Sequence, residues 1–216
     1  NNIAPITTLS QVVLKYFTTE KNTIKAKDLD QKTITNTVKA LEVIGERSLG
    51  LMNFVDNYRK FTKLPSPKFK EINLSRLINN NLLVASTFPK FNTIKLEKSI
   101  PEKLFVNTDE KLLSQVFINL LKNAYEALIL DEVETPKLKI KLLQTSAGVK
   151  VEISNNGPSI APEIREQIFI PFFTTKENGT GVGLSLSKQI MLKMNGDILL
   201  STPKESTTVF TIVLNS

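Results

Sequence analysis

Residues 168–184 have the sequence IFIPFFTTKENGTGVGL, in which three aromatic side chains precede three alternating glycines. Helical periodicity follows from Gly183 to Met194, and Gly196 is a normal helix-ending signal. Glycines let backbone N–H groups approach an anion, and the first turn of a helix adds partial positive charge. No Gly-Lys-Ser/Thr follows, and Leu184 stands where a G-x-G-x-x-G motif has its third glycine. The stretch predicts a phosphate-binding loop of another kind, and a flexible glycine loop is the alternative.

Asparagine side chains mark two further candidate positions. Asn119 and Asn123 lie four residues apart in a periodic segment, so they share one face of a predicted helix. Two amide oxygens one turn apart can hold a hydrated Mg²⁺, whereas two solvent-facing amides are the alternative. Asn155 ends an alternating strand and is followed by a turn at Gly157 and Pro158. Its side chain is expected on the floor of a pocket, unless the segment is only a turn.

The composition is that of an ordinary globular protein and limits the chemistry available. The 216 residues are 41% hydrophobic and 23% charged, with a net charge of +7 and neither Cys nor His. Disulfides and thiol catalysis are therefore excluded, and any metal is expected to have oxygen ligands. The basic residues are scattered, so no nucleic-acid partner is expected. No apolar run reaches the about 20 residues of a membrane span, so membrane attachment is expected only through segments upstream of Asn1.

Residues 1–64 carry helical periodicity, which ends at a Leu-Pro-Ser-Pro boundary at 64–67. A polar connector at 18–30 separates two predicted helices. Their apolar positions are Ile6, Leu9, Val13 and Tyr16 in the first and Ile34, Val38, Leu41, Ile44, Met52 and Val55 in the second. Each stripe is broader than one partner helix covers, so two hairpins are expected to form a four-helix bundle as a homodimer. A hairpin packed on its own second domain is the alternative.

Residues 68–216 mix helical and strand patterns, so the chain as a whole is expected to be α+β with a second, separate domain. The predicted helices lie at 73–85, 109–130 and 183–194, and the predicted strands lie at 94–100, 104–107, 138–142, 149–153 and 209–214. The strands on either side of residue 147 alternate apolar and polar residues and are expected to form a hairpin with one buried face.

These segments resemble the sequence boxes of histidine kinases. Residues 119–124 (NLLKNA) look like the N box, 154–160 like the G1 box, 169–176 like the F box and 179–183 like the G2 box, in matching order and spacing. The resemblance covers 68–216 and is to the histidine-kinase branch of the Bergerat-fold ATPases. Gyrase-like members have a catalytic Glu where this chain has Asn119. The resemblance implies an α/β sandwich with a mixed sheet and helices on one face.

The first residues, NNIAPI, look like the tail of a histidine-kinase H box of the His-Glu-x-x-Asn type. This register implies a phospho-accepting His four residues before Asn1. It also implies that Asn1 is a candidate for the phosphatase reaction, with a solvated helix residue as the alternative.

The resemblance further implies ATP and Mg²⁺ as cofactors, with Asn123 and Asn119 as the catalytic and metal-binding pair. ATP would lie between their helix and a lid at 158–183 that Phe172 and Phe173 anchor by burial. The residues implied to contact ATP are Asn119, Lys122, Asn123, Asn155, Gly157, Ile160, Phe172, Thr174, Thr175, Lys176, Gly179, Thr180, Gly181, Val182, Gly183, Leu184 and Thr208.

One departure from the family pattern lies in the G1 box. Asn155 stands where the family has an Asp that accepts a hydrogen bond from adenine, and Ser159 replaces a usual Gly. An amide oxygen still accepts, but a neutral acceptor binds more weakly than a charged one. The expected affinity for nucleotide is correspondingly lower.

The implied function is that of the cytoplasmic kinase core of a membrane-bound sensor histidine kinase. Residues 1–64 would dimerise and carry the phosphotransfer, and 68–216 would bind Mg-ATP. The γ-phosphoryl would pass to the upstream His and then to an Asp in a response-regulator receiver domain. Two alternatives remain at this point, a nucleotide-binding pseudokinase, which Asn155 supports, and another Bergerat-fold ATPase without histidine phosphotransfer, which the helical hairpin disfavours.

Overall fold

The computed structural model describes residues 3–17, 30–146, 148–176, 179–203 and 206–215. The chain divides into two compact units, Asn1–Thr62 and Lys63–Ser216. The phosphatase candidate Asn1 and nearly all of the polar connector lie outside the described residues.

The first unit contains two helices that pack against each other, α1 (Ile3–Phe17) and α2 (Gln31–Thr62). Asp30 caps α2, because its Oδ1 accepts a hydrogen bond of 2.6 Å from the N–H of Thr33. That bond is the main cause that lowers the pKa of the Asp30 carboxyl. The predicted apolar face of α1 is half-buried, and its members are Ile6, Leu9, Val13 and Tyr16.

The apolar stripe predicted for α2 is not the face that this hairpin buries. Thr37 and Ala40 are the buried positions of α2, and Ile44 is half-buried. The other predicted members are exposed, and these are Ile34, Val38, Leu41, Met52 and Val55. The periodicity identified a helix correctly, but the choice of face depends on the partner. Within the described residues, α1 covers the neighbouring face and leaves the large apolar side chains uncovered.

The second unit is built on a mixed five-stranded sheet with strand order β2-β4-β5-β7-β6. Its elements are β1 (Lys70–Asn73), α3 (Leu74–Ala85), β2 (Lys95–Ser99), β3 (Phe105–Thr108), α4 (Glu110–Ile129), β4 (Lys137–Thr145), β5 (Gly148–Asn155), α5 (Gly183–Lys193), β6 (Asp197–Ser201) and β7 (Thr208–Asn215). Strand β2 is parallel to β4, and the other neighbours are antiparallel. Strands β1 and β3 form a separate antiparallel pair. The predicted fold class, mixed sheet included, is confirmed.

One face of the sheet carries the core. Alternation along β4 and β5 turns Leu138, Ile140, Val151 and Ile153 inward, and all four are almost fully buried. Helices α4 and α5 pack on each other, α4 packs on β5, and α5 packs on β6. Lysines such as Lys139 alternate on the opposite face. The helices therefore lie on one side of a single sheet.

Asp109 fastens the start of the second unit to α4. It is buried, and its carboxylate accepts hydrogen bonds from the N–H groups of Lys111 at 2.9 Å, Leu112 at 3.0 Å and Lys68 at 2.8 Å. Burial disfavours the ionised carboxyl, but these bonds outweigh burial and lower the pKa of Asp109. At the end of α5, Lys193 donates to the carbonyl of Leu64 at 2.8 Å. Residues 64–68 are thereby held against the ends of α4 and α5.

Strands β1 and β6 and three short 3-10 helices were not predicted from the sequence. The 3-10 helices lie at Phe91–Thr93, Pro162–Ile164 and Gln167–Phe169. None of the described helices is both long enough and apolar enough to cross a membrane.

Candidate functional site

Two polar side chains lie on the apolar face of the sheet. Alternation along β5 and β7 places Asn155 and Thr208 on the same inward side as Ile153 and Phe210. Asn155 and Thr208 are register partners on adjacent strands, and Leu138 of β4 completes the row. Their relative exposures are 4% for Asn155 and 4% for Thr208. The inward face of the sheet is therefore apolar along its length but polar at this end.

This row contains two buried polar atoms that lack a hydrogen-bond partner among the described residues. Four buried side-chain polar atoms of the described residues lack a hydrogen-bond partner, and these are Thr37 Oγ1, Ser75 Oγ, Asn155 Nδ2 and Thr208 Oγ1. Thr37 and Ser75 are isolated on different helices, whereas Asn155 and Thr208 are neighbours. A buried donor without a partner costs about 1–3 kcal/mol, so two adjacent ones point to a ligand.

Asn119 joins α4 to the glycine loop. Its side-chain nitrogen donates to Ser187 Oγ of α5 at 3.0 Å. A Cβ on Gly183 would overlap the Asn119 amide, so only glycine permits this close approach at the start of α5. The predicted proximity of the N-box helix and the glycine loop is thus present. Ser187 was not predicted as a site residue, because its partner lies 68 positions away in the sequence.

Asn123 lies one turn further along α4 and is half-buried. No hydrogen bond is recorded between its side chain and any other described residue, so its amide oxygen is available to a ligand. On successive turns of α4, Asn119 is therefore hydrogen-bonded to Ser187, whereas the Asn123 side chain has no hydrogen bond to another described residue.

Glu126 connects α4 to the segment between β5 and α5. It pairs with Lys176 of that segment and, at 3.7 Å, with Lys122 one turn before it on α4. Side-chain exposure is 47% for Lys176 and 18% for Glu126, so the lysine end of the pair is open to water and the carboxylate end is largely covered. Glu126 was not predicted as a site residue, although Lys122 and Glu126 have the i, i+4 spacing of a helical ion pair.

The segment 158–183 begins with a turn that lies directly on α4. A Cβ on Gly157 would overlap the backbone of Ala127, one turn after Asn123. Arg165 then donates to the carbonyl of Ile160 at 3.0 Å. The segment therefore starts beside Asn155 and crosses to α4. Residues 177–178 within it lie outside the described part of the chain.

The aromatic part of the segment folds back on the glycine loop. The N–H of Phe172 donates to the carbonyl of Gly181 at 2.8 Å. Both residues have positive φ, 68° for Phe172 and 65° for Gly181, and a Cβ on Gly181 would overlap the Phe172 backbone. The F-box and G2-box stretches are therefore one turn structure rather than two separate loops.

The expectation that Phe172 and Phe173 anchor this segment by burial is wrong at Phe172, whereas Phe173 is half-buried. Phe172 is 37% exposed, whereas Ile168 is buried. Phe169 lies against α5, where Lys188 Nζ is 5.2 Å from the centre of its ring. Phe169 and Phe173 are half-buried, so Ile168 is the most buried side chain among residues 168–173. The remaining predicted contacts follow along the segment, with Val182 buried, Ile160, Gly179 and Leu184 half-buried, and Thr174, Thr175 and Thr180 exposed.

A cavity of about 560 Å³ lies elsewhere in the second unit. Its walls include Phe69, Phe105, Gly148 and Met194, and none of the predicted site residues lines it. Gly148 begins β5 and Asn155 ends it, so the two places are separated by roughly 24 Å of strand. The predicted site residues lie instead at the Asn155 end of β5, at the start of β7, on α4 and in the segment that leads into α5.

The asparagine and threonine side chains of the site are neutral and offer oxygen atoms as ligands. Among the described residues there is no cluster of three or more His, Cys, Asp or Glu side chains that could hold a metal ion. A cation here would have amide oxygens as protein ligands and would need most of its ligands from water or from a bound anion. Mg²⁺ accepts such a set, because it keeps several waters and is commonly shared with phosphate oxygens.

Comparison with known proteins bears directly on this site. Residues 108–216 match the family described as histidine kinase-, DNA gyrase B- and HSP90-like ATPases. The C4-dicarboxylate transport sensor protein DctS of Rhodobacter capsulatus is 26% identical over 188 residues, which are 87% of this chain and 29% of DctS. The signal transduction histidine-protein kinase AtoS of Escherichia coli (strain K12) is 28% identical over 176 residues, 81% of this chain and 28% of AtoS. The chain spans less than a third of these curated relatives.

Solved structures of histidine kinases also match this chain. The nucleotide-free catalytic domain of the histidine kinase ThkA is 35% identical, with a TM-score of 0.61, and the match covers 68% of this chain and 95% of that domain. The structure of ThkA in complex with the response regulator protein TrrA is 28% identical, with a TM-score of 0.64, and the match covers 99% of this chain and 58% of the ThkA chain.

Proposed function

The chain belongs to the family of histidine kinase-, DNA gyrase B- and HSP90-like ATPases, and from this premise we propose that it is the kinase core of a two-component sensor histidine kinase. The observation that carries the proposal is the buried pair Asn155 and Thr208, whose unpartnered polar atoms lie at the open end of an otherwise apolar sheet face. A glycine loop that opens α5 completes the site, and Asn119 packs on it.

The base of ATP would lie at the Asn155–Thr208 row, where an amide and a hydroxyl offer hydrogen bonds that the protein does not use. The phosphates would lie at the start of α5, where the first N–H groups of a helix have no helical partner and the helix end adds positive charge. Lys176 would supply a further cation by exchanging Glu126 for phosphate. After this exchange Glu126 would keep Lys122 as a cationic partner, which limits the energetic cost.

Mg²⁺ would be held by Asn123, whose amide has no recorded partner among the described residues, with help from the oxygen of Asn119. When bound, the ion neutralises phosphate charge. Asn119 would act mainly by fixing the start of α5 through Ser187. Positioning and charge neutralisation are the main contributions that a protein makes to phosphoryl transfer.

The acceptor of the γ-phosphoryl is proposed to be a histidine, and the 216 residues contain none. It would lie four residues before Asn1, in the register set by the sequence NNIAPI. The next acceptor would be an aspartate in a response-regulator receiver domain. The matching ThkA structure is a complex with the response regulator TrrA, which supports this partner. Membrane attachment would come through segments upstream.

We further propose that residues 1–64 form a homodimer. Large apolar side chains of α2, including Val38, Leu41 and Met52, are exposed in the single hairpin. A second hairpin packed on this face would make a four-helix bundle and remove that apolar surface from water.

A labelled-ATP time course tests the kinase assignment. The 216-residue chain is expected to bind ATP but to show no acid-labile label, because it contains no histidine. Extension upstream by about ten residues is expected to restore labelling if the proposed register is correct. Acid-labile label on the chain without histidine would contradict the acceptor assignment.

The same assay tests Asn1, which lies outside the described residues. In the extended protein, Asn1→Ala is expected to keep autophosphorylation but to lose dephosphorylation of the response regulator. The reason is that the side-chain amide would orient the attacking water one helical turn after the histidine. Equal dephosphorylation rates for the parent and the variant would remove the phosphatase role and leave the kinase assignment intact.

A further inference from the structure

The Asn155–Thr208 row has a hydrogen-bonding character that differs from that of a carboxylate. Asn155 Nδ2 is a donor, and the amide oxygen beside it is an acceptor. Thr208 Oγ1 can donate or accept. All three groups are neutral, and Asn155 and Thr208 are both buried with an unpartnered atom each. The row therefore offers an adjacent donor and acceptor together with one group of either kind.

This set complements two classes of purine edge. A 6-aminopurine presents a donor at N6 and an acceptor at N1, whereas a 6-oxopurine presents an acceptor at O6 and a donor at N1. An amide pairs with the first through its oxygen and nitrogen, as amide side chains do with adenine in nucleic-acid complexes. Rotated by half a turn, the same amide pairs with the second. A carboxylate has only acceptors and repels O6, so it selects the 6-aminopurine.

No feature of the row fixes the amide in one orientation. The nitrogen of Asn155 has no partner within the described residues, and the polar atom of its neighbour Thr208 is likewise unpartnered. The third member of the row, Leu138, is apolar and cannot orient the amide by a hydrogen bond. Either orientation of Asn155 is therefore open to a bound base.

We infer that Asn155 and Thr208 make the base-binding end of the site accept 6-oxopurine nucleotides as well as 6-aminopurine nucleotides. The inference rests on the proposed nucleotide site and names its base selectivity. Asn155 is the specificity-determining residue, and Thr208 contributes to the binding of either base. Guanine nucleotides belong to the 6-oxopurine class.

The test compares ATP with inosine triphosphate, which carries O6 and N1–H and lacks the 2-amino group of guanine. Isothermal titration of the full chain with each nucleotide and Mg²⁺ is expected to give dissociation constants within about tenfold of each other, a difference under about 1.4 kcal/mol. In Asn155→Asp the ratio is expected to rise by about tenfold or more in favour of ATP, because a carboxylate accepts from N6 and repels O6. Thr208→Val, which removes a hydroxyl of either character, is expected to weaken both nucleotides to a similar extent.

Each outcome decides a separate point. The titrations of the parent chain need no variant, so their result holds even if a substitution disturbs folding. Thermal melting of each variant shows whether it is folded. ATP binding with inosine triphosphate far more than tenfold weaker in the parent would overturn the inference on base selectivity and leave the proposed function in place. An unchanged ratio in folded Asn155→Asp would also overturn it. Failure of the parent to bind either nucleotide would instead overturn the nucleotide site itself.

Discussion

The two units of the chain differ in how far they bury their large apolar side chains. In the second unit Leu113, Leu120 and Leu138 are fully buried. In the first unit Leu49 and Met52 are more than half exposed, although they lie in the middle of a 32-residue helix. The second unit therefore completes its own core, whereas the first unit does not.

This difference assigns different partners to the two units. Where the core is complete, the informative residues are the buried polar ones, and Asn155 and Thr208 point to a small ligand. Where the core is incomplete, the informative residues are the exposed apolar ones, and those of α2 point to a second copy of the helical hairpin.

The largest expected effect follows a charge placed on the uncovered face of α2. Leu41→Glu is expected to convert a dimer at tens of micromolar into a monomer, because a buried unpaired carboxylate opposes association. The matched control is Leu83→Glu on α3, where the side chain is 72% exposed and belongs to the other unit. Light scattering measures both. A parent chain that is monomeric while its helices are folded would contradict the dimer.

A smaller effect is expected from opening a cavity in the second unit. Leu113→Ala is expected to lower the free energy of unfolding by about 2–5 kcal/mol, since it removes a fully buried side chain of α4. Leu83→Ala is the control and is expected to change stability by no more than about 0.5 kcal/mol. Urea denaturation followed by circular dichroism measures both. Equal losses for the two leucines would show that the second unit does not close its own core.

The smallest of these effects concerns the caps that begin α2 and α4. Asp109→Ala is expected to lower stability by about 1 kcal/mol at neutral pH, because three N–H groups lose their acceptor. The pKa of Asp109 is lowered in the folded state, so its contribution is complete above the ordinary Asp pKa. It is lost as the pH falls through the lower folded-state value. The difference between parent and variant should therefore shrink in acid.

Asp30→Ala at the start of α2 is the control for that experiment. Asp30 is exposed, and its side chain accepts a hydrogen bond from one described N–H group, that of Thr33. A smaller loss of unfolding free energy is therefore expected. Unfolding free energies measured between neutral pH and about pH 2 separate the two caps. A loss for Asp109→Ala that stays constant over this range would contradict the role of the ionised carboxyl.

The elements with strong local patterns could be predicted from the sequence. Helix α4, the β4–β5 hairpin and α5 follow from periodicity, alternation and the glycine at 196. Strand β1 was missed because it has four residues with one buried side chain, and its pairing with β3 is made across about thirty residues. Strand β6 was missed because its apolar residues Ile198, Leu199 and Leu200 do not alternate.

The candidate site was predictable where a motif is local. Asn119 and Gly183 were identified separately, and the structure brings them into contact. Ser187 was not identified, because only tertiary packing of α4 on α5 shows that it accepts the Asn119 amide. The burial of the aromatic residues in 158–183 was predicted only in part. Phe172 is exposed and Phe173 is half-buried, and two adjacent phenylalanines cannot be told apart in this respect without the tertiary packing.

The most direct test of the central claim is titration of the chain with ATP in the presence of Mg²⁺. Asn123→Ala is expected to weaken Mg-ATP binding by about a hundredfold, because a ligand of the metal is lost. The stability of the fold is expected to stay unchanged, because the Asn123 amide makes no hydrogen bond to another described residue. Asn119→Ala is expected to weaken binding by about tenfold and to destabilise the fold, since Ser187 loses its partner. Asn80→Ala, at an exposed helical asparagine of the same unit, is expected to change neither. Unchanged affinity for Mg-ATP in folded Asn123→Ala would contradict the account.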